Sequence, residues 1–160
     1  LAIHNAGITR DRTLAKMSAD NWNQAVAVNL GAVERMLETL PVQDGGRIVV
    51  LSSVAGLAGN FGQTNYAAAK SGLAAMVRYH APSLRPRGIT LNAIAPGFIE
   101  TRLTAAIPFA TREGGRRLAA LGQGGLPIDV AEAITFLSLP AAKHISGQVL
   151  RVCGGSYLGA

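Results

Sequence analysis

The chain is poor in cysteine, in aromatics and in charge, and each shortage narrows what it can be. Among its 160 residues there is one cysteine, Cys153, so no intrachain disulfide can staple the fold. A lone thiol fits a reducing compartment, and a cytoplasmic setting is expected. Aromatic residues make up only 5%. Without aromatics interleaved among basic residues, or a known module, the net charge of +6 does not suggest nucleic acid as a partner. No apolar run approaches the ~20 residues of a membrane span, and no basic-then-apolar leader opens the chain, so no membrane role is expected. Charged residues are 15% against 49% hydrophobic, without biased tracts, which excludes a disordered chain. A single domain over 1–160, able to bury a real core, is the expectation. An initiating methionine is also lacking: Leu1-Ala2-Ile3 reads as mid-strand, and the chain is expected to be part of a longer one.

The charge that is present lies unevenly. Residues 1–80 carry seven basic and five acidic groups; residues 81–160 carry eight and four. Part of the second excess is Arg102, Arg112, Arg116 and Arg117, around a Gly-rich segment. This reads either as a solvated arginine face or as a surface attracting an acidic partner or a phosphate-bearing substrate.

Along the chain, Leu1 to His4 reads as a strand ended by Asn5-Ala6-Gly7, and 8–17 as loop. Ser18 is placed to cap a helix, with Asp20 in its first turn. Trp22, Val26, Asn29, Val33 and Leu37 repeat at helical spacing. Asn29 on that buried stripe must find partners, as a structural staple or as part of a site. After Pro41 and Asp44-Gly45-Gly46, Ile48 to Leu51 is an unbroken apolar run, as in a parallel strand covered on both faces. Residues 54–65 read as loop and 66–81 as an Ala-rich helix that Pro82 would kink or stop. A strand over Ile89 to Ala95 is closed by Pro96-Gly97. Residues 98–126 read as irregular, with a short helix around 111–121. Asp129 and Glu132 match a capping-box spacing for a helix running through Leu139, and Gly147 to Val152 gives a last strand. Alternating strands and helices predict an α/β layer architecture with a parallel sheet. Ligands would gather at the strand carboxyl ends.

One such end carries chemistry. Ser53 stands thirteen residues before Tyr66, and Tyr66 and Lys70 lie one helical turn apart. Reducing a carbonyl needs a hydride, a group that holds the oxygen, and an acid that protonates it. A tyrosine's ordinary pKa near ~10 is too high for efficient exchange at neutral pH, and an ammonium one turn away would lower it. A serine hydroxyl could steady the developing charge, and Asn29 could anchor a water leading to Lys70. No side chain supplies hydride, so a cofactor must. No Gly-x-Ser-x-Gly elbow surrounds Ser53, which argues against nucleophilic catalysis. His4, His80 and His144 show no metal-ligand spacing with one another or with Cys153, so no metal is expected.

Taken in order, Asn5-Ala6-Gly7, Asn29, Ser53, Tyr66-x-x-x-Lys70 and Pro96-Gly97 resemble the short-chain dehydrogenase/reductase family from its fourth strand to its C-terminus. Within it, NAGITRDRTL, GNFGQTNYAAAKSGL and NAIAPGFIETRLT look like the 3-oxoacyl-[acyl-carrier-protein] reductases. The segment IPFATREGGRRL and the ending LRVCGG are similar to longer, actinobacterial-type members with an extra N-terminal domain. The resemblance implies a Rossmann-type, doubly wound, three-layer sheet lacking its N-terminal part. It implies NAD or NADP as cofactor and NAD(P)H-dependent reduction of a 3-oxoacyl thioester, on acyl carrier protein or coenzyme A, in fatty acid metabolism. Tyr66 would be the acid, with Lys70 tuning it and binding the nicotinamide ribose. Ser53, selected over Ser52 by its interval to Tyr66, would hold the carbonyl, and Asn29 would support the proton relay. Asn5, Ala6 and Gly7 would line the adenosine side; Pro96, Gly97, Ile99 and Thr101 would lie along nicotinamide and pyrophosphate. Residues 102–126 would form a substrate lid. Arg87, together with the Arg112, Arg116 and Arg117 segment, would face an acidic acyl carrier protein. A homo-oligomer is implied, paired through helices at 18–39 and 66–81.

Two departures stand out. His4 occupies a position where the family commonly has asparagine. The Gly-rich pyrophosphate turn and the residue that selects NAD or NADP do not occur in this sequence, which leaves strand 1–4 with an unpaired edge. Two alternatives stand beside the acyl-thioester reading: a family reductase of another small ketone or secondary alcohol, and a piece that is inert by itself.

Overall fold

Four parallel strands carry the computed structural model, which describes residues 1–156. They are β1 (Ala2–His4), β2 (Arg47–Leu51), β3 (Thr90–Pro96) and β4 (Val149–Val152), in the order β1-β2-β3-β4. The register pairs His4 with Val50, Val50 with Ala93 and Ala93 with Val149. Because strand side chains alternate, the apolar run in β2 divides between two cores. Ile48 and Val50, with Leu91 and Ala93, pack on Val33, Leu73 and Val77. Val49 and Leu51, with Ile94, pack on Leu137 with Val130 and Ile134. The first helical layer is α1 (Ala19–Val26), α2 (Ala32–Thr39) and α4 (Thr64–Leu84); the opposite face is covered by α7 (Pro127–Ser138). This is the three-layer α/β architecture the sequence implies. Each of the fully buried Val49, Val50, Leu91 and Ile94 contributes roughly 1.5–3 kcal/mol. Among the described residues β1 pairs only with β2, so it is an open edge, with Ile3 45% exposed. The last four residues of the expected 1–160 domain lie outside the described residues.

Several local expectations are corrected. Ser18 does cap α1, accepting from the Asn21 N–H at 3.2 Å. The helix it opens is not uniform, however: Ala27–Gly31 winds as a π turn between α1 and α2. Residues 8–17 include a 3-10 turn, Leu14–Lys16. Residues 54–65 are not all loop, because α3 (Val54–Ala58) forms behind a Ser53 cap whose Oγ accepts from the Ala55 N–H at 3.2 Å. Pro82 does not end α4, which runs on to Leu84. It sits in the last turn, where its missing N–H removes one helical bond only. The 98–126 segment holds α5 (Arg102–Ala105) and α6 (Phe109–Arg117), the latter shifted from the expected 111–121. Asp129 is not the cap of α7 and does not pair with Glu132. It lies in the first turn behind Pro127, and its carboxylate accepts the Leu126 N–H at 2.7 Å. The last strand begins at Val149 rather than Gly147.

Candidate active site at the strand carboxyl ends

A cleft of about 470 Å³ opens where β1, β2 and β3 end. Its polar wall is Asn5, Gly7 and Thr9 after β1, Ser52 at the end of β2, and Tyr66 and Lys70 from α4. Pro96, Ile99 and Thr101 follow β3, and Pro127, Val130, Ala131 and Ile134 of α7 form an apolar wall opposite. Most sequence-selected residues therefore meet in one place. Ala6, Asn29, Ser53 and Gly97 are not part of the lining.

Tyr66 and Lys70 sit one turn apart on α4, with the Lys70 ammonium 5.6 Å from the centroid of the Tyr66 ring. Lys70 is 4% exposed and its Nζ donates to the Leu51 carbonyl at 2.6 Å. Burial lowers its pKa to about 8. Burial also raises the pKa of Tyr66, opposed by hydrogen bonding with the Ser53 hydroxyl, with a smaller upward push from Asp11. The expected lysine-lowered phenol is thus not what this arrangement gives. The ammonium lies over the ring and is engaged by a backbone carbonyl, and desolvation of the phenolate dominates. The tyrosine is held in its neutral, proton-bearing form.

Asn29 lies behind the cleft at 0% exposure. Its Nδ2 donates to the Ile8 and Ala25 carbonyls, each at 2.8 Å, and its Oδ1 accepts from the Ile8 N–H at 3.2 Å. The carboxamide thereby ties the chain after Asn5-Ala6-Gly7 to the helix. The π turn sits at this residue, as such insertions often do near sites. A Cβ at Gly7 would lie 2.8 Å from Asn29 Oδ1 and 3.6 Å from Lys70 Nζ, so the backbone passes between amide and ammonium only without a side chain.

Residues the sequence did not single out complete the frame. Ser52, buried, donates its hydroxyl to the Lys70 carbonyl at 2.8 Å and ties α4 to the strand end. Asn65, at 0% exposure, donates to the Arg10 and Asn21 carbonyls and accepts the Tyr66 N–H at 2.8 Å. Nothing in spacing marks Asn65, although a polar amide heading an Ala-rich helix was the available signal. At Gly56 an added Cβ would come 2.6 Å from the Lys70 carbonyl carbon; α3 thus packs directly on the backbone of the lysine.

The basic groups assigned to a partner are partly engaged already. Arg87 pairs with Asp44 at 2.8 Å. Arg116 pairs with Glu100 at 2.6 Å and Glu113 at 3.4 Å, and Arg117 with Glu113 at 2.9 Å. Arg112 stacks over the Phe109 ring at 5.9 Å.

The donor set fits the nicotinamide–ribose half of a cofactor. One of the three Lys70 ammonium protons is used by Leu51, which leaves two for hydroxyls. Among the described residues no carboxylate lines the cleft, and α7 supplies an apolar face.

Residues 1–157 match the family model described as Enoyl-(Acyl carrier protein) reductase. The chain is 41% identical to a 3-oxoacyl-[acyl-carrier-protein] reductase of Vibrio harveyi over 162 residues, 99% of this chain and 66% of that protein. It is 41% identical to one of Thermotoga maritima, over 96% of this chain and 64% of that protein. With one of Escherichia coli K12 it shares 40%, over 99% and 66%. The chain thus spans 66% or less of the length of these curated relatives.

Proposed function

The chain belongs to the short-chain dehydrogenase/reductase family, and from that premise we propose that the protein reduces a 3-oxoacyl thioester to the 3-hydroxyacyl thioester with NADH or NADPH. The observation that carries this is the meeting of Tyr66, Lys70 and the Ser53 hydroxyl beside a cleft without carboxylates. The relatives' names as 3-oxoacyl-[acyl-carrier-protein] reductases support an acyl thioester as substrate. When bound, a reduced nicotinamide would supply the hydride that the carbonyl carbon needs. Tyr66 gives its phenolic proton to the carbonyl oxygen as charge develops there, and burial keeps it in the proton-bearing form from which it donates. Ser53 steadies the oxygen by hydrogen bonding. Lys70 orients the ribose hydroxyls with its remaining protons and keeps the phenolate, once formed, in a cationic field. Asn29 keeps the Gly7 segment at its distance from Lys70. Asn5, Ala6, Gly7, Pro96, Gly97, Ile99 and Thr101 would hold the rest of the cofactor.

On this reading the acyl group arrives on acyl carrier protein or coenzyme A. An acidic carrier would approach through Arg87 and the Arg112, Arg116 and Arg117 segment, in competition with Asp44, Glu100 and Glu113. Of these arginines Arg112 has a buried Nε without a hydrogen-bond partner among the described residues. The reading further implies a cytoplasmic homo-oligomer paired through α1, α2 and α4. Among the described residues no helix is long and apolar enough to cross a membrane.

The test uses the complete protein, following consumption of reduced nicotinamide with acetoacetyl thioesters and with small ketones. Tyr66→Phe should lower kcat on the order of 10²–10⁴-fold while cofactor binding persists. Near-full turnover in that variant defeats the assignment of the acid. Equal turnover of small ketones, unaffected by Arg87→Glu, defeats the acyl-thioester reading.

A further inference from the structure

At the other end of the sheet a second cleft, of about 420 Å³, opens between the end of α4, the start of β3 and the segment entering β4. Its volume is in the range of small-molecule sites. Arg78, Arg85 and Lys143 line it together with Thr90 and Ser146, and among the described residues no aspartate or glutamate does. Three arginines elsewhere are matched by carboxylates, Arg87 by Asp44, Arg116 by Glu100 and Glu113, and Arg117 by Glu113. Arg78, Arg85 and Lys143 take part in no ion pair or side-chain hydrogen bond among the described residues. The carbonyl end of the 21-residue α4 offsets part of this charge, but a helix terminus carries about half a unit against three whole ones.

A second observation is independent of the charges. Thr90, a lining residue only 4% exposed, buries an Oγ1 that has no hydrogen-bond partner, which is uncommon in folded proteins. The Ser146 hydroxyl accepts from the Leu91 N–H at 3.2 Å, leaving its own proton free to donate.

We propose that this cleft binds a phosphate-bearing small molecule, held by Arg78, Arg85 and Lys143 with the Thr90 and Ser146 hydroxyls as neutral donors. Guanidinium groups bind phosphate oxygens in pairs of parallel hydrogen bonds, and the lysine adds a point charge. The site is separate from the active-site cleft. Strand β3 begins at Thr90 in one and ends at Pro96 in the other, roughly 20 Å apart at ~3.3 Å per residue.

Inorganic pyrophosphate serves as the probe, titrated calorimetrically into the complete protein at low salt, with sodium chloride at matched ionic strength as control. Saturable binding is expected, weakened about tenfold or more in Arg78→Gln/Arg85→Gln and severalfold in Thr90→Val, with reductase turnover unchanged in the arginine variant. A response that chloride reproduces, or binding that NADPH displaces and the arginine variant retains, overturns the proposal. Full binding in Thr90→Val removes the hydroxyl from the site.

Discussion

Lys70 gives the sharpest quantitative consequence. A displacement from 10.5 to about 8 at a residue 4% exposed corresponds to roughly 3 kcal/mol of cost for keeping the ammonium charged in the fold. The folded pKa is depressed, so the unfolded chain binds more protons between about 8 and 10.5, and stability rises with pH through that window. Below the window the fold carries the whole cost; above it the cost is gone. Replacing the lysine by methionine removes the titration and leaves every other group in common. Relative to Lys70→Met, the wild-type protein should therefore gain about 2 kcal/mol of unfolding free energy between about pH 7 and pH 9.5. Urea unfolding of both proteins at the two pH values, without cofactor, measures this difference. The absolute offset between the proteins is not diagnostic, because methionine also leaves the Leu51 carbonyl unbonded. Parallel pH dependences would refute the claim that the ammonium is desolvated and unneutralised.

Asn29→Ala should destabilise by roughly 3 kcal/mol, since three buried or half-buried hydrogen bonds go; melting should fall by about 6–12 °C. Asn29→Asp should be worse than alanine at neutral pH, because a carboxylate faces the Ile8 and Ala25 carbonyls with no proton to give; a wild-type melt would undo the staple. Gly56→Val should cost about 1–3 kcal/mol and lower turnover, its Cβ meeting Lys70 and Ser71 backbone at 2.6 and 2.7 Å. Unchanged kinetics there would mean α3 does not position Lys70. Gly114→Ala, in α6 with nothing within 4 Å of its Cβ, should instead stabilise by about 0.5–1 kcal/mol in the same denaturation assay.

What the sequence made legible were features written in adjacent residues. The run Ile48 to Leu51 could only be a strand buried on both faces, and it divides between two cores as alternation requires. Ser18 signalled its helix by side-chain chemistry alone. The i, i+4 pair Glu113–Arg117 was readable in principle, whereas Glu100–Arg116 joins a loop to a helix and leaves no periodic trace. The five residues of α3 are too few to display a stripe, and Pro82 was a misleading stop because a terminal turn tolerates it. The π turn at Asn29 was invisible because it shifts the helical phase by one residue without changing composition. The apolar wall of the cleft comes from α7, whose residues gave no sign of a site because their chemistry is ordinary packing.

The difference between the two groups of cations in this chain carries a further argument. Arg116 and Arg117 stand where carboxylates can reach them, and their pairing costs little and directs little. Lys70 is buried with no carboxylate in its cleft and one backbone carbonyl as partner. A fold selected for stability alone would place an apolar residue there, since the site already packs against α3 and the end of β2. Instead Ser52, Gly56 and Gly7 are all arranged around the lysine, one bonding its carbonyl and two yielding space to its backbone and ammonium. Three positions that specify a destabilising residue are hard to explain by folding and simple to explain by chemistry. Asn29 differs from Lys70 in that both of its amide protons are bonded within the fold, whereas two of the three ammonium protons have no partner among the described residues.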